Sequence, residues 1–279
     1  FTIVGTTNDN SVASCFIAAI VGSKAGGSIT GCTVSNSSIS GYIDIGGICG
    51  GQSSVFGYIS NCTVTDCVIT AENTCAGGIT GEHSYPISDC VVTGTTITTN
   101  GNYAGGIAGI SSNSVTNCRV ADCTIENTCA ELFYGVITGK RSNGSISNCV
   151  YQSRNPTIKG VGTYSDSSTH YVGSDEGCTR VYAVECMNNA TATLQSGTTE
   201  TIGSGTYYHD GATFELSYSV IPDSYVTPLI GYSVKNGSNN DVNVTEDNGV
   251  YSFTMPASNV TVSAKFTPDI ATHWQASDS

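Results

Sequence analysis

Charge is scarce in this 279-residue chain: 9 Lys+Arg and 22 Asp+Glu make up 11% of it, where a soluble domain carries about 25%. Basic side chains are the scarcest, and only Lys24 and Arg119 occur in the first 130 residues. No phosphate-tracking groove can be assembled from two cations, which excludes nucleic acid and an anionic membrane surface as partners. Long apolar runs are also missing. The longest, Phe16 to Val21, falls far short of the roughly 20 residues a spanning helix needs, which excludes membrane insertion by a helix. There is no His-Glu-x-x-His and no Cys-x-x-Cys, so neither the metalloprotease pattern nor a cysteine zinc site is present. Only one Trp, Trp274, and four His occur.

The chain is rich in Gly, at 33, and Cys, at 13, with 39% hydrophobic residues and a mean hydropathy of +0.00. That is enough to bury a core, and the length suits one large or two ordinary domains. The net charge of −13 favours solubility. The chain begins at Phe1 with neither a methionine nor a basic-then-apolar leader, and reads as a mature product or an excised piece.

Comparing the chain with itself reveals a period. Ser28-Ile-Thr-Gly-Cys-Thr-Val34, Tyr58-Ile-Ser-Asn-Cys-Thr-Val64, Pro86-Ile-Ser-Asp-Cys-Val-Val92, Ser114-Val-Thr-Asn-Cys-Arg-Val120 and Ser145-Ile-Ser-Asn-Cys-Val-Tyr151 are copies of one unit. Their cysteines, Cys32, Cys62, Cys90, Cys118 and Cys149, are spaced by 30, 28, 28 and 31 residues. A second element keeps phase with them: Ala18-Ala-Ile-Val-Gly22, Gly46-Gly-Ile-Cys-Gly50, Gly77-Gly-Ile-Thr-Gly81, Gly105-Gly-Ile-Ala-Gly109 and Gly135-Val-Ile-Thr-Gly139. Its apolar centre is Ile48, Ile79, Ile107 and Ile137, and it closes on Gly50, Gly81, Gly109 and Gly139. A third apolar position falls seven residues after each of the first four column cysteines, at Ile39, Ile69, Ile97 and Ile125.

Each unit therefore reads as three short strands. Ile, Val, Thr and Gly alternate with period two, and no 3.6-residue stripe appears. Such a unit cannot bury its inward face alone, whereas stacked units can, each adding about 4.8 Å. The expected fold is all-β: a right-handed parallel β-helix of 28 to 31 residues per coil, with five to six coils along about 25 to 30 Å. The glycines mark corners where the next coil presses close. Asn36, Asp66, Gly94 and Asp122 share one coil position and are residue types that accept a left-handed backbone, so that position is a turn.

The Gly-Gly-Ile-x-Gly element and the Ile-Ser-Asn-Cys-x-Val element together resemble the GLUG-motif repeats of bacterial surface proteins common in gut anaerobes. Five copies span residues 13 to 152, with Val136 in place of the second Gly of the last. The resemblance implies a β-helical surface segment, and carrying the motif does not by itself imply a peptidase.

The repeats give residues 1–160 as the β-helix and 161–178 as an irregular last coil or linker. Residues 179–268 read as a separate all-β module, and 269–279 as a polar tail holding Trp274. In the module, alternating strands at 180–184, 212–218, 232–235, 250–254 and 260–266 are separated by turns such as Lys235-Asn-Gly237 and Asp247-Asn-Gly249. Tyr207-Tyr-His-Asp-Gly-Ala-Thr-Phe-Glu-Leu216, Gly231-Tyr-Ser-Val234 and Phe253-Thr-Met-Pro-Ala-Ser-Asn-Val-Thr-Val-Ser-Ala-Lys-Phe266 resemble the divergent internalin-type B-repeat. That family usually carries a Trp at the second segment, and its modules act as spacers or weakly adhesive units in a small β-sandwich.

Catalysis finds little support in the residues. His83, His170, His209 and His273 sit in unrelated contexts, and His83 reads as a solvated loop residue. Asp66 and Asp122, two coils and about 9.6 Å apart, sit at the upper limit for an inverting carboxylate pair. The same column holds Asn36 and Gly94, and the Arg or Lys partners of a lyase-type site are missing from its neighbourhood, so a turn is the simpler reading. The inward cysteines read as small apolar filler, a ladder of free thiols suited to an anoxic habitat. Cys178 and Cys186, flanking one strand, are the exception most open to a disulfide. No EF-hand or Asp-rich nonapeptide for calcium appears, and seven Asn-x-Ser/Thr sequons matter only in a eukaryotic source.

The sequence thus predicts an extracellular, cell-surface segment of structural or adhesin type, without catalytic residues, cofactor or metal. Its expected partners are host or cell-wall glycans or proteins, together with end-to-end self-association. The alternatives are a glycan-active β-helical lyase or hydrolase, and the protomer of a phage fibre or surface filament.

Overall fold

The computed structural model describes residues 1–4, 16–52, 56–128, 133–164, 173–219 and 225–268, and no helix occurs among them. The histidines His170 and His273, the cysteines Cys15 and Cys129, and the tail 269–279 with Trp274 lie outside the described residues. The chain divides into two units, one of residues 1–180 with 201–205, the other of 181–200 with 206–279.

In the first unit the strands stack in parallel on their counterparts one repeat away, in five sheets. Sheet I starts with Ile29–Thr30, sheet II with Thr33–Ser35, sheet III with Thr2–Val4, sheet IV with Ile17–Ala18 and sheet V with Val21–Lys24. Register is kept throughout: Val34 pairs with Val64, Val64 with Val92 and Val92 with Val120, while Ile39, Ile69, Ile97 and Ile125 pair likewise. This is a parallel β-solenoid of about five turns.

Five strands per repeat replace the three expected from the sequence. The Ile-Ser-Asn-Cys-x-Val element is cut in two by the residue before its cysteine. Gly31, Asn61, Asp89, Asn117 and Asn148 there have φ of 65, 53, 55, 55 and 51°, which ends sheet I and redirects the chain into sheet II. The column at Asn36, Asp66, Gly94 and Asp122 does the same between sheets II and III, at 48, 53, 59 and 54°. The second element is likewise a corner between sheets IV and V.

The last coil closes the stack. Tyr151 takes the place of the valines in sheet II, and its hydroxyl donates to Asp175 Oδ1 at 2.6 Å. Asp175 also accepts from the Gly160 amide at 2.9 Å and from Lys159 Nζ at 3.0 Å. Arg180 lies over the Tyr151 ring, 5.6 Å from its centre, and donates to the Pro156 and Asn155 carbonyls. Within the stretch 161–178, Val161–Tyr164 extends sheet V and Cys178 begins a strand, Cys178–Val181, that extends sheet II, while 165–172 lie outside the described residues.

The second unit has two sheets around an aromatic core. In one, Val260–Pro268 lies between Val184–Met187, which it pairs in parallel, and Tyr225–Asn236, which it pairs antiparallel. The other orders Ala190–Ser196, Thr213–Tyr218, Val250–Thr254 and Val244–Asp247 antiparallel. Phe214 stacks on Phe253, with centroids 5.1 Å apart. Tyr232, at the position where the sequence departs from Trp, meets Tyr251 edge-on. Asn248 and Gly249, both at positive φ, close the two-residue hairpin between Asp247 and Val250.

Candidate functional site

The most distinctive feature of the coils is the seam where sheets IV and V meet. Four of the five strands of sheet IV bring one glycine to it, Gly46, Gly77, Gly105 and Gly135, with Ala18 at that place in the first, and sheet V brings Gly50, Gly81, Gly109 and Gly139. A Cβ on Gly77 would strike the Thr80 carbonyl and lie 2.9 Å from Ala108 Cα; on Gly81 it would lie 2.7 Å from Asp44 Cα. On Gly109 it would lie 2.9 Å from Cys75 Cβ, and on Gly139 2.7 Å from the Ala104 oxygen. The obstacles are mostly backbone, so the two sheets touch main chain to main chain. These glycines are there for close approach, since none has a positive φ. The glycines between them, Gly47, Gly78 and Gly106, face Val64, Val92 and Val120 of sheet II at 2.8 to 2.9 Å from an added Cβ. The corner thus reaches across the coil to sheet II, with Ile48, Ile79, Ile107 and Ile137 wholly buried behind it.

Where sheets IV and V part, two columns of side chains line the seam's mouth. Asp44, Cys75, Tyr103 and Phe133 share register in sheet IV, and Glu82, Ile110 and Lys140 in sheet V. Asp44 is buried, and Thr74 Oγ1 donates to its Oδ1 at 2.8 Å. Burial raises the Asp44 carboxyl above its ordinary value, against hydrogen bonds from Thr74 and Cys75. Burial, then Asp44, raises Glu82, which Lys140 partly offsets. Burial, with the two carboxyls, holds the Cys75 thiol well up. Further along, Tyr103 and Phe133 stack 5.3 Å apart, with Lys140 Nζ 5.1 Å from the Tyr103 centre. The acidic end of this strip holds protons more readily than free carboxyls, and the other end offers aromatic edges and one cation. The sequence motifs did not single out these residues; their one signal was position, at the variable ends of the glycine element.

The carboxylates named from sequence lie elsewhere. Asp66 and Asp122 are exposed turn residues. Asp66 lines an open surface depression of about 420 Å³ with Phe1, Thr2, Asn36, Ser37, Ser38 and Val68, to which Asp122 does not contribute. A cation does approach this column, contrary to the sequence reading: Arg154 Nη2 is 3.8 Å from Asp122 Oδ1. Stacking brings Arg154 in from the following coil.

His83 is also corrected. It ends the strand Thr80–His83 and is wholly buried rather than solvated. Its Nδ1 lies 2.7 Å from the Tyr85 carbonyl, which fixes the proton on Nδ1. Desolvation lowers its pKa to about 4, so the ring is neutral. His83 Nε2 and Tyr85 Oη are buried without a hydrogen-bond partner. Lys24 stands 4.2 Å from the Tyr85 ring centre and donates to the Phe56 carbonyl at 2.6 Å. Burial lowers the Lys24 pKa.

The cysteine column keeps register, each member preceding the paired residues Thr33, Thr63, Val91, Arg119 and Val150. Cys62, Cys90, Cys118 and Cys149 are fully buried and Cys32 half-buried. Each thiol donates to the carbonyl two residues before it, at 3.2 to 3.6 Å. The eleven described cysteines are free thiols, Cys178 and Cys186 included. Rather than pairing with Cys186, Cys178 extends the column, because the Cys149 amide donates to Gly177 O at 3.1 Å. Among the described residues no group of three or more His, Cys, Asp or Glu is placed to hold a metal ion.

Residues 188–270 match the family model of the divergent InlB B-repeat domain. The match covers the strands of the second unit except Val184–Met187, and none of the coils. No curated protein and no solved structure matches the chain.

Proposed function

We propose that this chain is a non-enzymatic segment of an extracellular bacterial surface protein, in which a stalk of GLUG-type coils and a B-repeat module space and present a binding surface. The observation that carries this reading is the B-repeat match over residues 188–270, a module type resembling spacers of surface proteins. The coils suit the role: their main-chain hydrogen bonds run between repeats, so length grows by adding copies. Their outer faces carry Ser, Thr and Asn with little charge, which suits contact with glycans or with host or cell-wall proteins. The strand edges of the first coil, unpaired among the described residues, suit end-to-end association of copies.

Binding of the full chain to an array of glycans and host proteins tests the reading, with selective retention of a glycan or protein class expected. A second reading, a glycan-active enzyme, is favoured by the raised carboxyls of Asp44 and Glu82 beside the Tyr103/Phe133 stack. Glycan cleavage by the intact chain that disappears in Glu82→Gln, or in Asp66→Asn, would replace the first reading with the second. Light scattering that shows no change in mass with concentration removes end-to-end association.

A further inference from the structure

The solenoid carries six thiols in a single file. Cys32, Cys62, Cys90, Cys118 and Cys149 occupy successive rungs of sheet II, and Cys178 adds the sixth. Neighbours interact side chain to side chain, Cys62 with Cys90, Cys90 with Cys118 and Cys118 with Cys149. The second cysteine position, just before sheet III, differs: Ser37, Cys67, Thr95 and Cys123 alternate hydroxyl with thiol, so no two sulfurs there are adjacent.

We propose that the sheet II column is a binding site for copper(I), each ion held in line between the sulfurs of two successive coils. The geometry selects the ion. Rungs of a parallel sheet are about 4.8 Å apart, and two metal–sulfur bonds of about 2.3 Å placed end to end span about 4.6 Å. Zinc needs four ligands in a tetrahedron, whereas a file of thiols flanked by buried Val and Ile gives each ion only two. Soft sulfur ligands favour copper(I). Charge points the same way. Two thiols and Cu⁺ become a thiolate–copper–thiol unit and one released proton, with no change of oxidation state, so the buried unit stays neutral and avoids the cost of an isolated charge. Cys32 and Cys178, at the two ends of the file, are only part-buried and give ion and proton a way in and out. Six sulfurs in file form three such pairs, Cys32 with Cys62, Cys90 with Cys118, and Cys149 with Cys178.

The test is an anaerobic titration of the reduced, folded full chain with copper(I) against a chromophoric copper(I) chelator. A background of Cys15→Ser, Cys129→Ser and Cys186→Ser removes the exposed thiol and the two outside the described residues. About three ions per chain are expected, with X-ray absorption showing two sulfur neighbours and no nitrogen or oxygen. Adding Cys62→Ala, Cys118→Ala and Cys178→Ala leaves no adjacent pair in the column and abolishes the binding, while Cys49, Cys67, Cys75 and Cys123 remain. Where circular dichroism shows that variant unfolded, Cys118→Ala alone is read, with a fall from about three ions to about two. No copper bound by the folded background chain, a stoichiometry unchanged by these alanines, or a coordination shell of three or more ligands overturns the proposal.

Discussion

The two units use glycine and aromatic residues in opposite ways. In the coils, glycine sits in the middle of the structure, where Gly46, Gly77, Gly105 and Gly135 let sheet IV touch sheet V, and the core is built of Ile, Val and Cys columns. In the second unit, Gly211 and Gly249 sit at turns with positive φ and open space around them, and the core is built of Phe214, Phe253, Tyr232 and Phe266. A repeat must place the same side chain above itself in every coil, so small and branched residues that tile without gaps are favoured. A module with a single copy of each strand can fill its centre with a few large rings in specific contact.

That contrast sets the size of the effects expected on substitution. Gly105→Val is the most damaging: its Cβ would meet the Ala108 carbonyl and lie 2.6 Å from the Gly139 amide nitrogen, neither of which can turn aside. Overpacking of a core costs about 1–3 kcal/mol where side chains can yield and more where they cannot, so loss of the cooperative urea transition of the coils is expected. Phe214→Ala tests the other strategy and is expected to cost about 3–5 kcal/mol, seen as a lowered midpoint with the coils' circular dichroism retained. A coil unit that tolerates Gly105→Val would show that the seam can open, and the contrast would fail.

His83 gives the next effect. Its folded pKa is depressed to about 4 by burial, below the ordinary value near 6.5. Between those two values the unfolded chain binds the extra proton, so stability is full above pH 6.5 and falls as the pH drops towards 4, by about 3 kcal/mol. Urea midpoints measured across that range in the parent and in His83→Gln should differ in slope, the variant being flatter. Equal slopes would mean that His83 is not buried as a neutral ring. The smallest effect lies in the turn columns. Asn117→Ala places a Cβ-bearing residue without a local polar group at φ 55° and is expected to cost about 1–2 kcal/mol. Asp122→Gly, which matches Gly94 one coil earlier, should cost nothing measurable in thermal unfolding.

Several elements were legible in the sequence because the repeat writes them five times. The period, the inward Ile and Val columns, the cysteine file and the turn at Asn36, Asp66, Gly94 and Asp122 each depend on residue type at fixed spacing. The Asp-Asn-Gly turn of the second unit depends only on local backbone preference. Strands such as Ala190–Ser196 and Val244–Asp247 escaped notice because Ala and Thr, or Thr, Glu and Asp, alternate too weakly in hydrophobicity to mark a strand. His83 was misplaced because one copy of a residue carries no periodic signal, and its burial follows from Tyr85 and Lys24 filling that corner.

The sequence by itself determined that this protein stacks, at what period, and which residues repeat inside, since periodicity 28 to 31 residues apart forces each strand against its own copy. Only the tertiary structure decided that each repeat breaks into five strands, that the glycine corner reaches sheet II, and that Asp44, Cys75 and Glu82 meet at one mouth. The reason is that a linear repeat specifies what lies above and below a residue, along the stacking axis. What lies across the coil depends on how sharply each corner turns, and that is fixed only when backbones thirty residues apart come into contact.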